Sequence, residues 1–382
     1  MILMKIAFFT DTYVPNRDGV VTALVNYKQE LEKLGHEVYI FTPGTKKQKK
    51  ENRDERVYYF TSASFKPYPD YRLSLFPFLS AVKAVKEIKP DIMHSHGVAT
   101  TGLAAVQCSR SLKVPAIASF HTMIPQATHY LAKKEDTQKL LEKVAWKYLR
   151  WYYSLFRTVT VPSEHTAKIL RQHGIENTRV LPMGISVKYY ANGDGRKVRG
   201  RYSLGRKKIV LHVGRMVEEK NIGLLINEAQ SIVNKNPDVR FVMVGGGPAE
   251  ESFRSMAKMK GVDEYFVFTG FVPREELPDY YAAADAFAFP STFDTQGLVA
   301  LEAMAAGVPV VVQADSAAAE LVENGVNGFT FESPIDFREK ILAAVAGKGG
   351  MSGAARKKAA EYSKSRRTEA LVRLYESILS SP

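Results

Sequence analysis

Apolar residues along this chain fall into short runs separated by longer stretches with helical spacing. The first run, residues 5–10, gives way to a polar loop holding Pro15 and Gly19, after which Val21, Leu24, Val25 and Leu31 recur at the steps of an amphipathic helix. Gly35 closes that helix, and HEVYIFT (36–42) reads as a second strand. The opening is therefore a βαβ unit. Further strands are predicted at 57–60, 91–96, 116–121 and 158–162, with helical segments such as 77–88 between most of them. Alternation of this kind implies a parallel sheet covered on both faces.

The pattern restarts at KKIVLHVGR (207–215), followed by a helix over 224–233 and strands at 240–247, 266–272, 286–290 and 308–313. Between the two halves, SVKYYANGDGRKVRGRYSLG (186–205) is polar and glycine-rich and reads as a linker. The expectation is an α/β protein with two doubly wound parallel-sheet domains facing across a cleft. Their predicted extents are 1–182 and 207–382, joined by a linker over 183–206, with C-terminal helices free to pack back on the first domain. One large continuous sheet is the alternative, but a restart after such a linker is hard to thread through a single core. The length of 382 residues agrees with two domains of ordinary size.

Charge is distributed unevenly. Residues 1–200 carry 31 Lys and Arg against 17 Asp and Glu, and residues 201–382 carry 22 against 23, so the net +13 belongs to the first half. A one-sided positive field points to a polyanionic partner: nucleic acid, an acidic membrane surface or a phosphate-bearing substrate. Cys108 stands alone, which excludes an intrachain disulfide and a four-cysteine zinc site and favours a reducing, cytoplasmic compartment. The N-terminal apolar run is broken by Lys5 and ended by Asp11, too short for a signal peptide, and the longest later stretch is interrupted by Glu302. No membrane crossing is expected.

In open parallel sheets, ligands bind beyond the carboxyl ends of the strands, and the unusual residues collect there. Asp11, Thr12 and Gly19 follow the first strand; His96 and His121 end two later ones. In the second half the corresponding places hold Gly214 and Arg215, then Gly245, Gly246 and Gly247, Gly270 with Phe271, and Pro290 with Ser291. Gly19 either relieves a turn or lets backbone amides approach a phosphate. His94 and His96 alternate onto one strand face, but no third ligand stands at useful spacing, so core packing or cleft lining is preferred to a metal. His121 either points into the cleft or is a satisfied structural histidine.

Two segments taken together carry the strongest signal, GRMVEEKN (214–221) and PSTFDTQGLVALEAMAAGVPVV (290–311). Arg215 and Lys220 flank a loop after a strand, where two long cations would converge on a diphosphate and stabilise a departing nucleotide; a solvated charged loop is the plainer reading. Asp294 lies in a loop and Glu302 in the following helix, with seven residues between them. Gly297 at that helix start leaves amides for a phosphate, and the carboxylate of Glu302 is placed to accept both ribose hydroxyls. Paired acids also occur in glycosidases, which have no use for paired cations beside the leaving group. No Asp-x-Asp occurs in the chain.

These segments resemble the retaining family-4 glycosyltransferases, which have the GT-B fold of two Rossmann-like domains. The resemblance spans nearly the whole chain and is carried by GVVT (19–22), PDIMHSHG (90–97), SFHT (119–122), GRMVEEKN and the acid-x7-acid segment ending EAMAAGVPVV. It implies a nucleotide-sugar donor, with a UDP-sugar preferred, held mainly by the C-terminal domain. Arg215 and Lys220 would lie on the pyrophosphate and Glu302 on the ribose, while Asp294 and His121 would hold the transferred sugar. Gly19 with Val20, Gly246, Phe271, Thr295, Gln296, Gly297 and Leu298 complete the implied donor contacts, and no bound cofactor or metal is expected. The sequence departs twice: the first acid is Asp294 where glutamate is usual, and DSAAAEL (315–321) stands where many relatives carry a glycine pair.

Within the family, YPDYRLS (68–74) and KYLRWYYSLFR (147–157) look like the branch that glucosylates diacylglycerol lipids, which brings Tyr71 and Arg72 into the acceptor surface. Over 139–157 a helix would turn Leu141, Val144, Ala145, Tyr148, Tyr152, Leu155 and Phe156 to the domain. Its other stripe, Lys139, Lys143, Trp146, Arg150, Tyr153 and Arg157, would face anionic lipid headgroups. A solvated helix face is the plainer alternative. The expected function is a metal-independent hexosyl transfer with retention to a membrane lipid such as diacylglycerol, by a cytoplasmic enzyme peripheral to the membrane. A soluble acceptor, a sugar-nucleotide epimerase and a nucleic-acid-binding protein are the alternatives; the last would leave the strand-end constellation idle.

Overall fold

A computed structural model describes residues 2–16, 18–64, 72–126, 132, 134–380. The chain divides into two compact units, Met1–Gly184 with Lys364–Pro382, and Ile185–Ser363.

The first unit is built on strands β1 (Lys5–Phe9), β2 (Glu37–Gly44), β3 (Val57–Ser64), β4 (Arg72–Ser74), β5 (Ile92–Ser95), β6 (Ala116–Ser119), β7 (Val159–Val161) and β8 (Thr178–Val180). They form one sheet in the order β4-β3-β2-β1-β5-β6-β7-β8. All pairings are parallel except β3 with β4, which run antiparallel through Ser62↔Ser74. The run read from sequence as a strand over 57–60 thus extends to Ser64, and β4 and β8, three residues each, carried too little pattern to be read at all. Helix Gly19–Lys33 packs Leu24, Tyr27 and Leu31 against Phe8, Val38 and Ile40. On the opposite face, the Phe78–Ile88 and Thr100–Leu112 helices bury Ala81, Val85, Ala104 and Cys108 over Ala7, Phe9, Phe41 and Met93.

The second unit contains β9 (Lys208–Val213), β10 (Val239–Val244), β11 (Phe266–Gly270), β12 (Ala286–Phe289), β13 (Val310–Gln313) and β14 (Gly328–Phe331). They form a wholly parallel sheet in the order β11-β10-β9-β12-β13-β14. Its strands read as continuous apolar runs because both faces are covered: Leu211, Phe287 and Val312 face one cluster, Val210, Ala288 and Val311 the other.

One expectation about the chain's organisation is corrected. Residues 183–206 are not an open linker. They form helices Val187–Ala191 and Gly195–Arg201, and Tyr190, Val198 and Leu204 are buried in the core of the second unit, which begins at Ile185. The polarity that suggested a linker belongs to their outer faces, where Arg196 and Lys197 pair with Asp194 and Asp279. At the other end, the Pro334–Glu361 helix stays with the second unit, whereas Lys364–Leu379 belongs to the first. There Leu371, Val372, Leu374 and Tyr375 join the core formed by β1, β2 and the first helix. Each such buried side chain contributes about 1.5–3 kcal/mol relative to exposure, so this last helix is part of the first unit's core.

Candidate active site

In the second unit the strand order reverses between β9 and β12: from β9 the chain proceeds outward through β10 and β11, from β12 through β13 and β14. Such a switch point leaves a crevice between the loops that leave the two central strands in opposite directions. Lys220, in a single 3-10 turn after β9, and Asp294, in the loop after β12, meet over it. The ammonium donates to both carboxylate oxygens, at 2.6 and 2.7 Å, and lies 5.6 Å from the Phe289 ring centroid. The pair is half-buried.

Helix Leu298–Ala305 starts immediately after this loop. Gly297 is its N-cap at φ +80°, and a Cβ there would lie 2.9 Å from that of Ala318, inside the DSAAAEL segment, so glycine is required on both counts. No side chain caps this helix, in contrast to the helices whose first turns are satisfied by Asp18, Ser163 and Ser333. An uncapped start presents backbone N–H groups and the positive end of the helix dipole. Thr295 and Gln296 are buried beside it, and Leu298 is half-buried.

Further along the helix, Glu302 is 8% exposed and accepts a hydrogen bond from the Tyr281 hydroxyl at 2.7 Å. Burial pushes its carboxyl above the usual range, opposed by the hydroxyls of Tyr190 and Tyr281 and the charge of Arg274. Sequence reasoning missed both tyrosines: Tyr190 lay in the supposed linker, and Tyr281 lies in LPDYYAA (277–283), between two predicted strands, where no site residue was read.

The glycines after β10 differ in kind. A Cβ on Gly245 would sit 1.9 Å from the Gly214 carbonyl oxygen, and one on Gly247 would sit 2.3 Å from that of Met216. Both are demanded by the close approach of the β9 and β10 loops. Gly246 has room, its carbonyl accepting from the Met216 N–H at 3.0 Å, and Phe271 is exposed beside it. Arg215 is exposed in the β9 loop. Beneath the loop, His212 donates through Nδ1–H to the Ala288 carbonyl at 3.0 Å, because a carbonyl can only accept. Its Nε2 is then an unpartnered acceptor, and burial pushes the imidazole down to about 4.

The first unit has its own reversal, between β1 and β5. Asp11, after β1, accepts from the Ala99 N–H at 2.9 Å at the start of the Thr100–Leu112 helix, and burial raises its carboxyl. Gly19 opens the first helix. A Cβ there meets no protein atom within 4 Å, so nothing in the fold requires glycine at this place. The helix is capped by its own acid: Asp18 accepts from the Val21 N–H at 2.8 Å and from the Thr12 hydroxyl at 3.1 Å. The carboxylate of Asp18 thus already occupies the N-terminus at which the Gly19 and Val20 amides lie. His121 lies past β6, and His96 Nδ1 is 2.9 Å from its Nε2.

The expected lipid-facing stripe is also corrected. In helix Glu135–Tyr153, Trp146 and Tyr153 are buried, with Trp146 stacked on His173 at 3.7 Å between centroids. Lys139, Lys143, Arg150 and Arg157 are exposed, but the apolar residues among them are Leu140, Val144 and Trp151, at 61, 56 and 50%. Tyr148 and Tyr152 point inward as expected, to the carbonyls of Val98 and Gly97, while Trp146 and Tyr153 join them and Val144 turns outward. Arg72 is held on β3 by Ser62, at 2.8 and 3.0 Å, and Tyr71 lies outside the described residues. Among the described residues there is no cluster able to hold a metal ion and no helix long and apolar enough to cross a membrane.

Residues 197–366 match the family described as "Glycosyl transferases group 1", and residues 17–189 match "Glycosyltransferase Family 4". The chain is 32% identical over 340 residues to the alpha-monoglucosyldiacylglycerol synthase of Acholeplasma laidlawii, covering 86% of this chain and 85% of that one. It is 28% identical over 353 residues to a GDP-mannose-dependent alpha-mannosyltransferase of Corynebacterium glutamicum, covering 89% and 79%. Among solved structures, Anabaena HepE in complex with UDP superposes with a TM-score of 0.78 at 20% identity, over 98% of this chain and all of that one. Two parallel-sheet units, each with its switch point, and these likenesses over most of the chain place it in glycosyltransferase family 4, with the GT-B fold.

Proposed function

We propose that this glycosyltransferase moves a hexose from a UDP-sugar to a membrane lipid, diacylglycerol or a related glycolipid, with retention at the anomeric carbon and without a metal ion. The observation that carries the reading is the Lys220–Asp294 pair over the β9/β12 switch point. A donor diphosphate offers the ammonium a stronger partner than the carboxylate. Lys220 then turns to the phosphate together with Arg215, and Asp294 is released to accept hydroxyls of the sugar. Glu302, buried against Tyr281, accepts from the ribose. The uncapped start at Gly297 faces the phosphate, as a helix N-terminus does for anions.

In the transfer, the bond from the anomeric carbon to the leaving phosphate oxygen breaks, and the bond to the acceptor oxygen forms on the same face. The acceptor's proton passes to the departing phosphate. Charge grows on that phosphate as the bond lengthens, and two fixed cations stabilise it without reorganisation. His121 holds the transferred sugar from the first unit.

The lipid acceptor is supported by the name of the Acholeplasma relative, a glycolipid synthase. It also accords with the exposed Leu140, Val144 and Trp151 interleaved with Lys139, Lys143, Lys147 and Arg150, a surface suited to anionic headgroups. The name of the Corynebacterium relative favours a second reading, GDP-mannose as donor. One experiment separates these: incubation with radiolabelled UDP-glucose, UDP-galactose or GDP-mannose and total membrane lipids, followed by organic extraction. Label from a UDP-sugar in the organic phase is expected; label from GDP-mannose alone, or label that stays aqueous on a soluble product, overturns the donor or the acceptor assignment respectively.

A further inference from the structure

Glu302 and Tyr281 stand on different helices, Leu298–Ala305 and Leu277–Ala283, with strand β12 between them in the chain. The Tyr281 side chain is fully buried, and its hydroxyl ends 2.7 Å from Glu302 Oε2. Packing leaves the ring no room to carry that hydroxyl elsewhere. Tyr190 meets it edge to face, with centroids 5.7 Å apart at 86°, and Phe287 of β12 lies tilted against it at 5.9 Å. Tyr190 is seated in turn by Tyr189, at 5.1 Å and 82°, whose own hydroxyl donates to the Arg274 carbonyl at 2.8 Å. The donor to Oε2 is therefore locked by side chains from a strand and from the Val187–Ala191 helix.

Core filling alone does not explain the hydroxyl, since a phenylalanine would bury the same ring. A carboxylate taken out of water is costly unless it is hydrogen-bonded, and the burial that works against the ionised Glu302 is opposed by the Tyr190 and Tyr281 hydroxyls. The ionised form is the one a diol needs, because both ribose hydroxyls can then donate to it. An ionised carboxylate has about four lone-pair sites. Tyr281 occupies one of them, on Oε2, and so fixes how the carboxyl plane is turned and where Oε1 points.

We propose that Tyr281, seated by Tyr190, is a positioning residue for nucleotide recognition: by holding Oε2 it aims the Glu302 carboxylate at the 2′ and 3′ hydroxyls and sets a preference for ribose over deoxygenated sugars. This rests on the reading above that Glu302 accepts from the ribose. Tyr281 acts through that carboxylate, and its contribution is felt only by a ligand that carries the diol.

The test compares the calorimetric affinities of the full chain for UDP and for 2′,3′-dideoxy-UDP. The unaltered protein is expected to bind UDP about tenfold or more tightly, since hydrogen bonds to a charged acceptor are lost with the diol. Tyr281→Phe should lower that ratio about fivefold by weakening UDP alone, with the dideoxy ligand bound as before. In the Tyr281→Phe/Glu302→Gln double variant the ratio should be no lower than in Glu302→Gln alone, because the tyrosine acts through the acid. A full ratio in Tyr281→Phe beside a collapsed one in Glu302→Gln overturns the proposal and leaves Glu302 on the ribose. Equal weakening of both ligands in Tyr281→Phe makes the tyrosine a structural support and overturns it likewise. A full ratio in Glu302→Gln takes Glu302 off the ribose, and the proposal falls with that reading. Should Tyr281→Phe not fold, Tyr190→Phe carries the test: a lowered ratio with unchanged dideoxy-UDP affinity supports the proposal, and an unchanged ratio overturns it.

Discussion

Lys220 and Asp294, which leave two adjacent strands at the point where the sheet's order reverses, are joined by two hydrogen bonds of 2.6 and 2.7 Å. The pair holds each charge partly out of water while keeping it exchangeable. A ligand bearing both a diphosphate and hydroxyls can replace each partner with its own, so little desolvation remains to be met when it binds.

It follows that Lys220→Ala and Arg215→Ala each lower turnover by about 100-fold or more, the common loss when one preorganised contact to developing charge is removed. Activity in excess EDTA is expected to match that in its absence. Wild-type turnover in either alanine variant, or abolition by the chelator, would falsify the metal-free clamp.

The two acids separate by readout. Glu302→Gln should weaken binding of UDP alone, measured calorimetrically, because its contact exists before the reaction begins. Asp294→Asn should leave UDP affinity nearly intact and slow turnover of the full donor. Equal effects on UDP affinity would end this division of roles.

His212 makes a pH prediction. Its ordinary value near 6.5 is pushed down to about 4 by burial, so as pH falls the unfolded chain takes up the proton first. Stability present above pH 6.5 is therefore lost between 6.5 and 4, by about 3 kcal/mol at most. His212→Asn keeps a donor to Ala288 but does not titrate. Its melting temperature should decline less than that of the unaltered protein between pH 7 and 4.5, and parallel curves would show that the shift is not there.

For the Glu135–Tyr153 helix, combined Lys143→Glu, Val144→Ser, Lys147→Glu and Trp151→Ala should reduce sedimentation with anionic vesicles and spare UDP affinity. High salt should release the unaltered protein. Trp146→Ala should act differently: because that ring is buried against His173, its loss should cost about 3–5 kcal/mol of stability rather than membrane affinity. Sedimentation of the fourfold variant at the level of the wild type would remove this helix as the docking surface.

What the sequence disclosed, and what it hid, divides along the same physical line. The longer central strands were legible because continuous apolar runs between turn residues admit few alternatives, whereas β4, β8 and β14 were too short to carry such a run. Lys220 and Asp294 stood out as charges beside strand ends; that they bond each other is a matter of three dimensions, since 74 positions separate them. The Glu135–Tyr153 helix was legible as a helix but not in its full rotation, because Trp, Tyr and Leu occur on every side and the ring that Trp146 stacks on, His173, lies 27 positions further along the chain. Tyr190 and Tyr281 were hidden for a similar reason. A tyrosine that satisfies a buried carboxylate has no sequence pattern distinguishing it from one that fills a core.

The second unit is inserted between Gly184 and Lys364 of the first, and this has a consequence for biosynthesis. A chain emerging from the ribosome completes residues 185–363, which form an uninterrupted unit, before it has made Leu371, Leu374 or Tyr375. Until then the first sheet lacks part of its apolar cover on one face, and His94 lacks the hydroxyl that fixes it. The N-terminal half, though translated first, is thus the last to reach its final packing, so the buried histidines of the first unit should reach their final places only after the half proposed to hold the nucleotide is already formed.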